Sequence, residues 1–284
     1  MARSPLRAVP TAGAHDRHRL YELAVQDADD ELALVERVLR RAGRPARRLR
    51  EDFSGTSLLA ARWVESGAGR SAAAVDLDPA VHAWARAHRL PGLGASAERL
   101  RLVRADVRRG PRGPFDAIIA FNFSWQVFHT REALRGYLAA ARRALAPGGV
   151  VLLDVFGGWE AQRPLRERRR LRGGATYVWD QESYDPITHR LRCSIHFELP
   201  GGRRLRQAFR YDWRLWTIPE LSELLREAGF DEVEVHWDVA PRDDESLYRV
   251  RRSAENCPGW IAYVIGRRRA RRRRPRRARP GRGT

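Results

Sequence analysis

The stretch 47–76, RRLREDFSGTSLLAARWVESGAGRSAAAVD, restricts the fold of this chain more than any other. A short extended run leads into Glu51-Asp52-Phe53-Ser54-Gly55-Thr56, a helical segment follows, and a small-residue apolar run ends on Asp76. That is the pattern of a strand–turn–helix–strand unit, with a glycine in its turn and an acid at the end of its second strand. Two carboxylates stand in the turn itself. They would repel the pyrophosphate of a dinucleotide and attract a cationic ligand.

At 284 residues the chain can bury a full core, and one domain with an insertion fits that length better than two. All 54 basic residues are arginine, a bias expected of a GC-rich genome rather than of a function. Eleven of them fall in 267–282 with no acid among them, so that segment carries eleven of the net +19 charges. The basic character is therefore partly a property of the tail. Two cysteines, Cys193 and Cys257, are too few for a disulfide framework or a cysteine-rich metal site. No histidine–acid spacing resembles a metal site either, so no metal is expected. The N-terminus has no apolar core of signal-peptide length, and no run approaches the length needed to span a membrane. A soluble, cytoplasmic protein without a membrane partner is the expectation.

Residues 1–20 read as a flexible, Pro/Ala/Arg-rich arm. Over 27–41 the spacing predicts a helix with Leu32, Val35, Val38 and Leu39 on one face, acids at its start, arginines at its end and Gly43 as its stop. This helix would cover one end of the ligand site. The first strand, about 47–52, is a poor one. A central parallel strand should be nearly all apolar, and only Leu49 and the bordering Phe53 are large and apolar here. Beyond it the order is regular, with a helix over 56–65, a strand over 72–76 and a helix opened by Asp78-Pro79 and running to 88. Strands follow at 100–105 and 115–121, then a helix from Thr130 to about 145, the turn Pro147-Gly148-Gly149 and a strand at 150–155. Such alternation predicts a parallel sheet with helices on both faces. Residues 157–214 break the rhythm with β-rich runs at 175–182, 190–199 and 204–213, which read as an inserted antiparallel β-layer. Thr217-Ile218-Pro219-Glu220 forms a capping-box signature for a helix ending near Gly229, and strands at 233–237 and 260–265 close the main sheet. The expected boundaries are an arm over 1–20, one domain over 21–266 with its insertion at 157–214, and a disordered Arg-rich tail over 267–284.

Taken together, these segments resemble the class I S-adenosylmethionine (SAM)-dependent methyltransferases over roughly 45–265. The resemblance implies an α/β, Rossmann-like, seven-stranded mostly parallel sheet with an antiparallel last strand. It also implies SAM as cofactor, whose sulfonium and ammonium suit an acidic turn. In that family the first turn usually reads acid-x-Gly-x-Gly-x-Gly. Aligned on Gly55-Thr56, Glu51 takes the acid's place, Phe53 the first glycine's and Ser57 the last's, so one glycine of three survives. Either Glu51 or Asp52 would face the ligand. AVDLDP resembles the second-strand motif, which makes Asp76 the acid for the ribose hydroxyls, with Leu77 beside it. A carboxylate has the paired acceptors that a vicinal diol needs. RADV resembles the third motif and implies that Asp106 meets the adenine amino group while Val107 donates its backbone N–H. FDAIIAFNFSW resembles the fourth and places Asn122 and Phe123 at the sheet's carboxyl edge near the methyl group. Gly55 and Thr56 complete the turn. Tyr21, ahead of the first helix, either folds over the cofactor or anchors its arm to the core.

Methyl transfer from a sulfonium needs alignment and desolvation of the nucleophile more than a dedicated catalytic group. A base is needed only where the acceptor arrives protonated, and the candidates for one are His129, His196 and Tyr184, with His189 behind them. The segment Asn122-Phe123-Ser124-Trp125 lacks the Pro-Pro of amino-methylating DNA enzymes, and neither cysteine stands where a cytosine-methylating nucleophile is needed. The leading expectation is N- or O-methylation of a small molecule beneath the β-insertion, whose many aromatic residues could face a cation. The alternatives are a nucleic-acid-binding protein working through its arginine tail, and a SAM-binding protein without turnover.

Overall fold

The computed structural model describes residues 16–239 and 247–269. The first of these residues form helix α1 (Arg17–Val25), capped by Asp16, whose carboxylate accepts the His18 N–H at 2.7 Å. Residues 17–20 therefore do not belong to a loose arm. Leu20 and Ala24 are buried, and that apolar edge fixes the helix. Residues 1–15 lie outside the described residues. Helix α2 (Ala28–Arg41) follows with Asp29, Asp30 and Glu31 in its first turn and Arg40 and Arg41 in its last, matching the helix dipole.

The alternating part of the chain forms β1 (Arg48–Asp52), α3 (Leu58–Glu65), β2 (Ser71–Asp76), α4 (Pro79–His88), β3 (Leu100–Arg104), β4 (Phe115–Ala120), α5 (Arg131–Ala144) and β5 (Leu145–Gly157). The insertion comprises β6 (Leu165–Arg170), β7 (Thr176–Asp185), β8 (Arg190–Glu198) and β9 (Arg204–Arg214). Helix α6 (Ile218–Glu227), β10 (Glu232–Asp238), β11 (Tyr248–Val250) and β12 (Trp260–Arg267) complete the chain. The large sheet runs β11-β10-β12-β5-β4-β1-β2-β3. Its β1, β2, β3, β4 and β5 are mutually parallel, and β12 is antiparallel to both β5 and β10. Seven strands match the expected order, and the three-residue β11 adds an eighth at the edge. The small sheet, β6-β7-β8-β9, is wholly antiparallel. Its edge strand β6, LRERRR, carries no apolar alternation and was not expected. The pairing of Leu165–Arg170 with β7 makes it a strand, and its charges suit an exposed sheet edge.

The polar β1 holds its central place by pairing its own charges. Alternation sends Arg50 and Asp52 to one face and Leu49 and Glu51 to the other. Arg50 donates to both Asp52 oxygens at 2.8 and 2.6 Å and to the carbonyls of Pro111 and Val107, both at 3.2 Å. Tyr137 of α5 donates its hydroxyl to Asp52 at 3.0 Å. The ion pair is thus fully hydrogen-bonded inside a core, the condition under which such a pair is tolerated. Two apolar clusters flank the sheet, one under α2 and α3 and one under α5 and α6. A third joins α1 to the small sheet through Leu20, Ala24, Ile195 and Phe197. At the other end, Arg268 exchanges backbone bonds with Gly148 and Gly149 at 2.6 and 2.9 Å, so the expected tail begins as part of the fold. Residues 270–284 lie outside the described residues.

Candidate active site

The chain order reverses between β1 and β4, and in an open α/β sheet that point leaves a crevice at the carboxyl ends of the strands. The turn after β1 fills one side of it. Phe53, Gly55 and Ser57 have φ of 56°, 50° and 60°, so all three positions where the family pattern has glycine adopt the left-handed conformation. The backbone form is kept although two of the three glycines are absent. Phe53 and Ser57 carry strain of about 1 kcal/mol each in that region. Phe53 gains packing in return, with its ring 6.0 Å from Phe128 and 5.9 Å from Tyr137.

Asp76 at the end of β2 is tied to this turn. Its Oδ2 accepts the Gly55 N–H at 2.8 Å and its Oδ1 accepts the Asp78 N–H at 3.0 Å. Each carboxylate oxygen keeps further lone-pair capacity for a diol. Leu77 beside it is 66% exposed, the condition of an apolar side chain that awaits a cover. Asp106, after β3, caps the turn that follows, accepting the Arg108 N–H at 2.8 Å, and is held below the usual carboxylate range by the Arg108 guanidinium. Val107 is buried behind it. Asn122 and Phe123 end β4 with φ of 58° and 57°, a second left-handed pair at the same crevice. Across the turn, Thr56 donates its hydroxyl to Glu22 of α1, and Arg89 pairs with the same carboxylate. The ring of the neighbouring Tyr21 lies 4.8 Å from that of Phe209 of β9, tilted by 52°. Helix α1 therefore straps the crevice from the first turn to the inserted sheet.

The electrostatics of the crevice are set by three buried carboxylates. Glu51 accepts the Ala60 N–H at 2.8 Å, and burial pushes it up to about 8. Asp154, in β5, accepts the Phe123 N–H at 3.0 and 3.2 Å, and burial pushes it up to about 7. Glu31 of α2 is raised well above the ordinary range by burial, and next by the charges of Asp154 and Glu51. Its Oε2 has no hydrogen-bond partner. Among the described residues none of the three forms a salt bridge. Buried acids are normally paired, and three without an ion-pair partner, the charges of two of which raise the third, form a receptacle for a cation. A ligand with a sulfonium and an ammonium fits that donor set.

Asn122 and Phe123 also line a cavity of about 670 Å³. The inner face of the small sheet supplies Tyr177, Trp179, Gln181, Ile195, Tyr211 and Trp213. Phe156 and Gly157 of β5, Trp237 of β10 and Trp260 of β12 close the far side, and Tyr21 the near side. Tyr211 and Trp213 stack at 4.4 Å, Phe123 and Phe156 meet at 4.7 Å, and Trp237 and Trp260 at 5.0 Å.

Residues 53–153 match the family model of a methyltransferase domain. The matched segment, about a third of the chain, runs from the first turn to most of β5 and resembles a methyltransferase domain. No curated protein matches the chain in sequence. Among solved structures, it is similar to a SAM-dependent methyltransferase from Clostridium acetobutylicum, with a TM-score of 0.65 at 14% identity over 89% of this chain and 97% of that one. It is also similar to the amino pentose methyltransferase CalS10 from Micromonospora echinaspora, with a TM-score of 0.63 at 21% identity over 88% and 95% of the two chains. The sugar N-methyltransferase KedS8 from Streptoalloteichus gives a TM-score of 0.62 at 22% identity over 95% and 99%. These likenesses extend through the inserted sheet, beyond the segment that the family model covers.

Five sequence candidates sit apart from the crevice and the cavity. Asp52 is committed to Arg50 and Tyr137 in the core, so of the two turn acids Glu51 is the one on the crevice side. His129 bonds to the Asp212 carbonyl at 2.8 Å and acts as a strut between the loop after β4 and β9. His196 accepts the Gln207 N–H at 3.0 Å through Nδ1, with Nε2 3.5 Å from Asp180, on the face of β8 away from the cavity. The Tyr184 ring packs against His189 at 5.9 Å and does not line the cavity. His189 itself bonds to the Leu215 carbonyl at 3.3 Å. Glu31 and Asp154 were missed. An acid inside the otherwise apolar VVLLDVF was the available signal for Asp154; Glu31 looked like a dipole-matching surface acid.

Proposed function

We propose that this domain transfers a methyl group from SAM to a nitrogen or oxygen nucleophile of a small molecule held between the two sheets. The observation that carries this reading is that Asn122 and Phe123 line the aromatic cavity while the buried acid Asp154 accepts the Phe123 N–H at 3.0 Å. In this reading Asp76 accepts from the ribose hydroxyls, with Gly55 and Thr56 shaping the turn beneath. Asp106, Val107 and Leu77 hold the adenine, and Glu51, Glu31 and Asp154 surround the cationic end. Bound SAM supplies an already activated methyl group. The protein's own work is alignment and exclusion of water. Tyr21 and α1 cover the crevice, and Asn122 and Phe123 fix the edge across which the nucleophile approaches. No base is assigned, because His129, His196 and Tyr184 face elsewhere.

Two of the similar structures are named as an amino pentose and a sugar N-methyltransferase, which supports a small-molecule acceptor. No helix of the described residues is long and apolar enough to cross a membrane. Cytoplasmic action is part of the proposal, and two unpaired cysteines suit a reducing compartment. The left-handed turn is kept without two of the family's glycines, which supports cofactor binding in this reading and in the one without turnover alike. The nucleic-acid reading rests on a tail that is mostly outside the described residues. Incubating the full chain with isotope-labelled SAM and a metabolite extract tests the proposal. Label in the small-molecule fraction is the expected result; label confined to protein or RNA would overturn it.

A further inference from the structure

The walls of the cavity carry an unexpected charge pattern. Fifty-four of the 284 residues are arginine, close to one in five. Among the described residues lining the cavity there is no arginine and no histidine, whereas Glu160, Glu167 and Asp238 are present. A random share of this composition would put several guanidinium groups there. Two of the acids are partly committed, since Glu160 pairs with Arg163 and Asp238 accepts the Leu247 N–H at 2.8 Å. Glu167 forms no salt bridge among the described residues. It stands on β6 opposite Trp179 of β7, its register partner, so its carboxylate and that indole edge the same wall. Trp179 continues into Trp213 at 6.1 Å and Tyr211 at 6.1 Å. Arg169, two residues along the same face of β6, packs 5.5 Å over Tyr177 and is tethered to the Ala24 carbonyl.

Resting on the methyl-transfer reading above, we infer that the acceptor is a small molecule whose amine enters as an ammonium, held by the Glu167 carboxylate against the Trp179–Tyr211–Trp213 wall. An uncompensated carboxylate beside aromatic faces attracts a cation twice over, by charge and by the ring quadrupoles. The same wall repels an anionic substrate, and among the described residues that line it none is an arginine. The chemistry balances simply. The ammonium gives one proton to water at the cavity mouth, and the nitrogen lone pair forms the new N–C bond. The donor's S–C bond breaks with its electron pair left on sulfur, and the product leaves as the methylated ammonium with no further proton taken up, so one proton is released per transfer.

Glu167 is an exposed edge-strand residue, so Glu167→Gln should leave the fold intact; circular dichroism and SAM affinity check that. The probes are 2-phenylethylamine, 2-phenylethanol and phenylacetate, one ring with a cationic, a neutral and an anionic head. Their binding to the full chain is measured by tryptophan fluorescence with SAM bound. The amine should bind about tenfold more tightly than the alcohol, and phenylacetate least well. Glu167→Gln should cut the amine's advantage by about threefold, and Glu167→Lys should abolish it. Phenylacetate binding as tightly as the amine, or an unchanged preference in both variants, would overturn the inference. Titration of SAM alone separates the two readings. Loss of SAM binding sinks the function proposed above, whereas intact SAM binding without amine preference sinks only this one.

Discussion

Replacing Glu51 by glutamine should make the empty protein more stable and the cofactor complex weaker. The side chain is nearly isosteric, and its remaining oxygen can still accept the Ala60 N–H. Burial holds the acid at about 8 against an ordinary 4.5. The folded state thus binds this proton more tightly than the unfolded chain does. Its stability is complete below the unfolded value and declines as pH climbs through the window up to the folded one. The full penalty of the ionised side chain is at most about 5 kcal/mol, and relaxation will reduce it. Asp154, pushed up to about 7 by burial, adds a loss of the same sign over an overlapping window. A bound cation reverses the balance, because it favours the ionised acids. Affinity for SAM should therefore rise toward alkaline pH, with protons released on binding. Urea unfolding of cofactor-free protein at about pH 5 and about pH 9 should show a decline in the parent that Glu51→Gln flattens. Calorimetry should show SAM binding weakened by about 10- to 100-fold, the value of a charged hydrogen bond. An unchanged affinity together with an unchanged pH profile would refute the idea that the buried acids exist to receive a cation.

Other outcomes follow from the same geometry. Asp76→Ala removes the acceptor of the Gly55 N–H and the proposed ribose partner, so SAM affinity should fall severely in a titration while the fold survives by circular dichroism. Asp52→Ala leaves the buried Arg50 unpaired and should destabilise the protein by about 3–5 kcal/mol in urea melts, with SAM affinity of the folded fraction retained. Ser57→Gly relieves a left-handed serine whose hydroxyl has no partner, and should be neutral or stabilising by up to about 1 kcal/mol in the same assay. His196→Ala should leave the rate of methyl transfer unchanged in a labelled-donor assay, since that ring lies off the cavity.

The order of strands and helices was legible because each βα unit carries its own punctuation, such as the Asp78-Pro79 cap and the Thr217–Glu220 capping box that the structure reproduces. Asp76 was legible for a similar reason, as an acid ending a small apolar strand. What escaped is governed by contacts distant in sequence. The strand β1 looked too polar for a sheet centre because the groups that satisfy Arg50 and Asp52, the Pro111 and Val107 carbonyls and the Tyr137 hydroxyl, become neighbours only in the fold. The strand β6 has no pattern of its own and exists through its pairing with β7. The first turn of helix α1 fell within the expected arm over 1–20 because the helix's apolar edge is short and meaningful only against the small sheet. Glu31 suited a helix N-terminus so well that burial beside Asp154 and Glu51 had no signature in the sequence.

The central claim is that the crevice at the end of β1 and β2 receives a positively charged nucleoside. Isothermal titration of the full chain with SAM, and separately with the pyrophosphate-bearing NAD, tests it most directly. Saturable one-to-one binding of SAM, tightening as pH rises, and no heat with NAD are the predicted results. A chain that binds NAD as well as SAM, or neither, would contradict it.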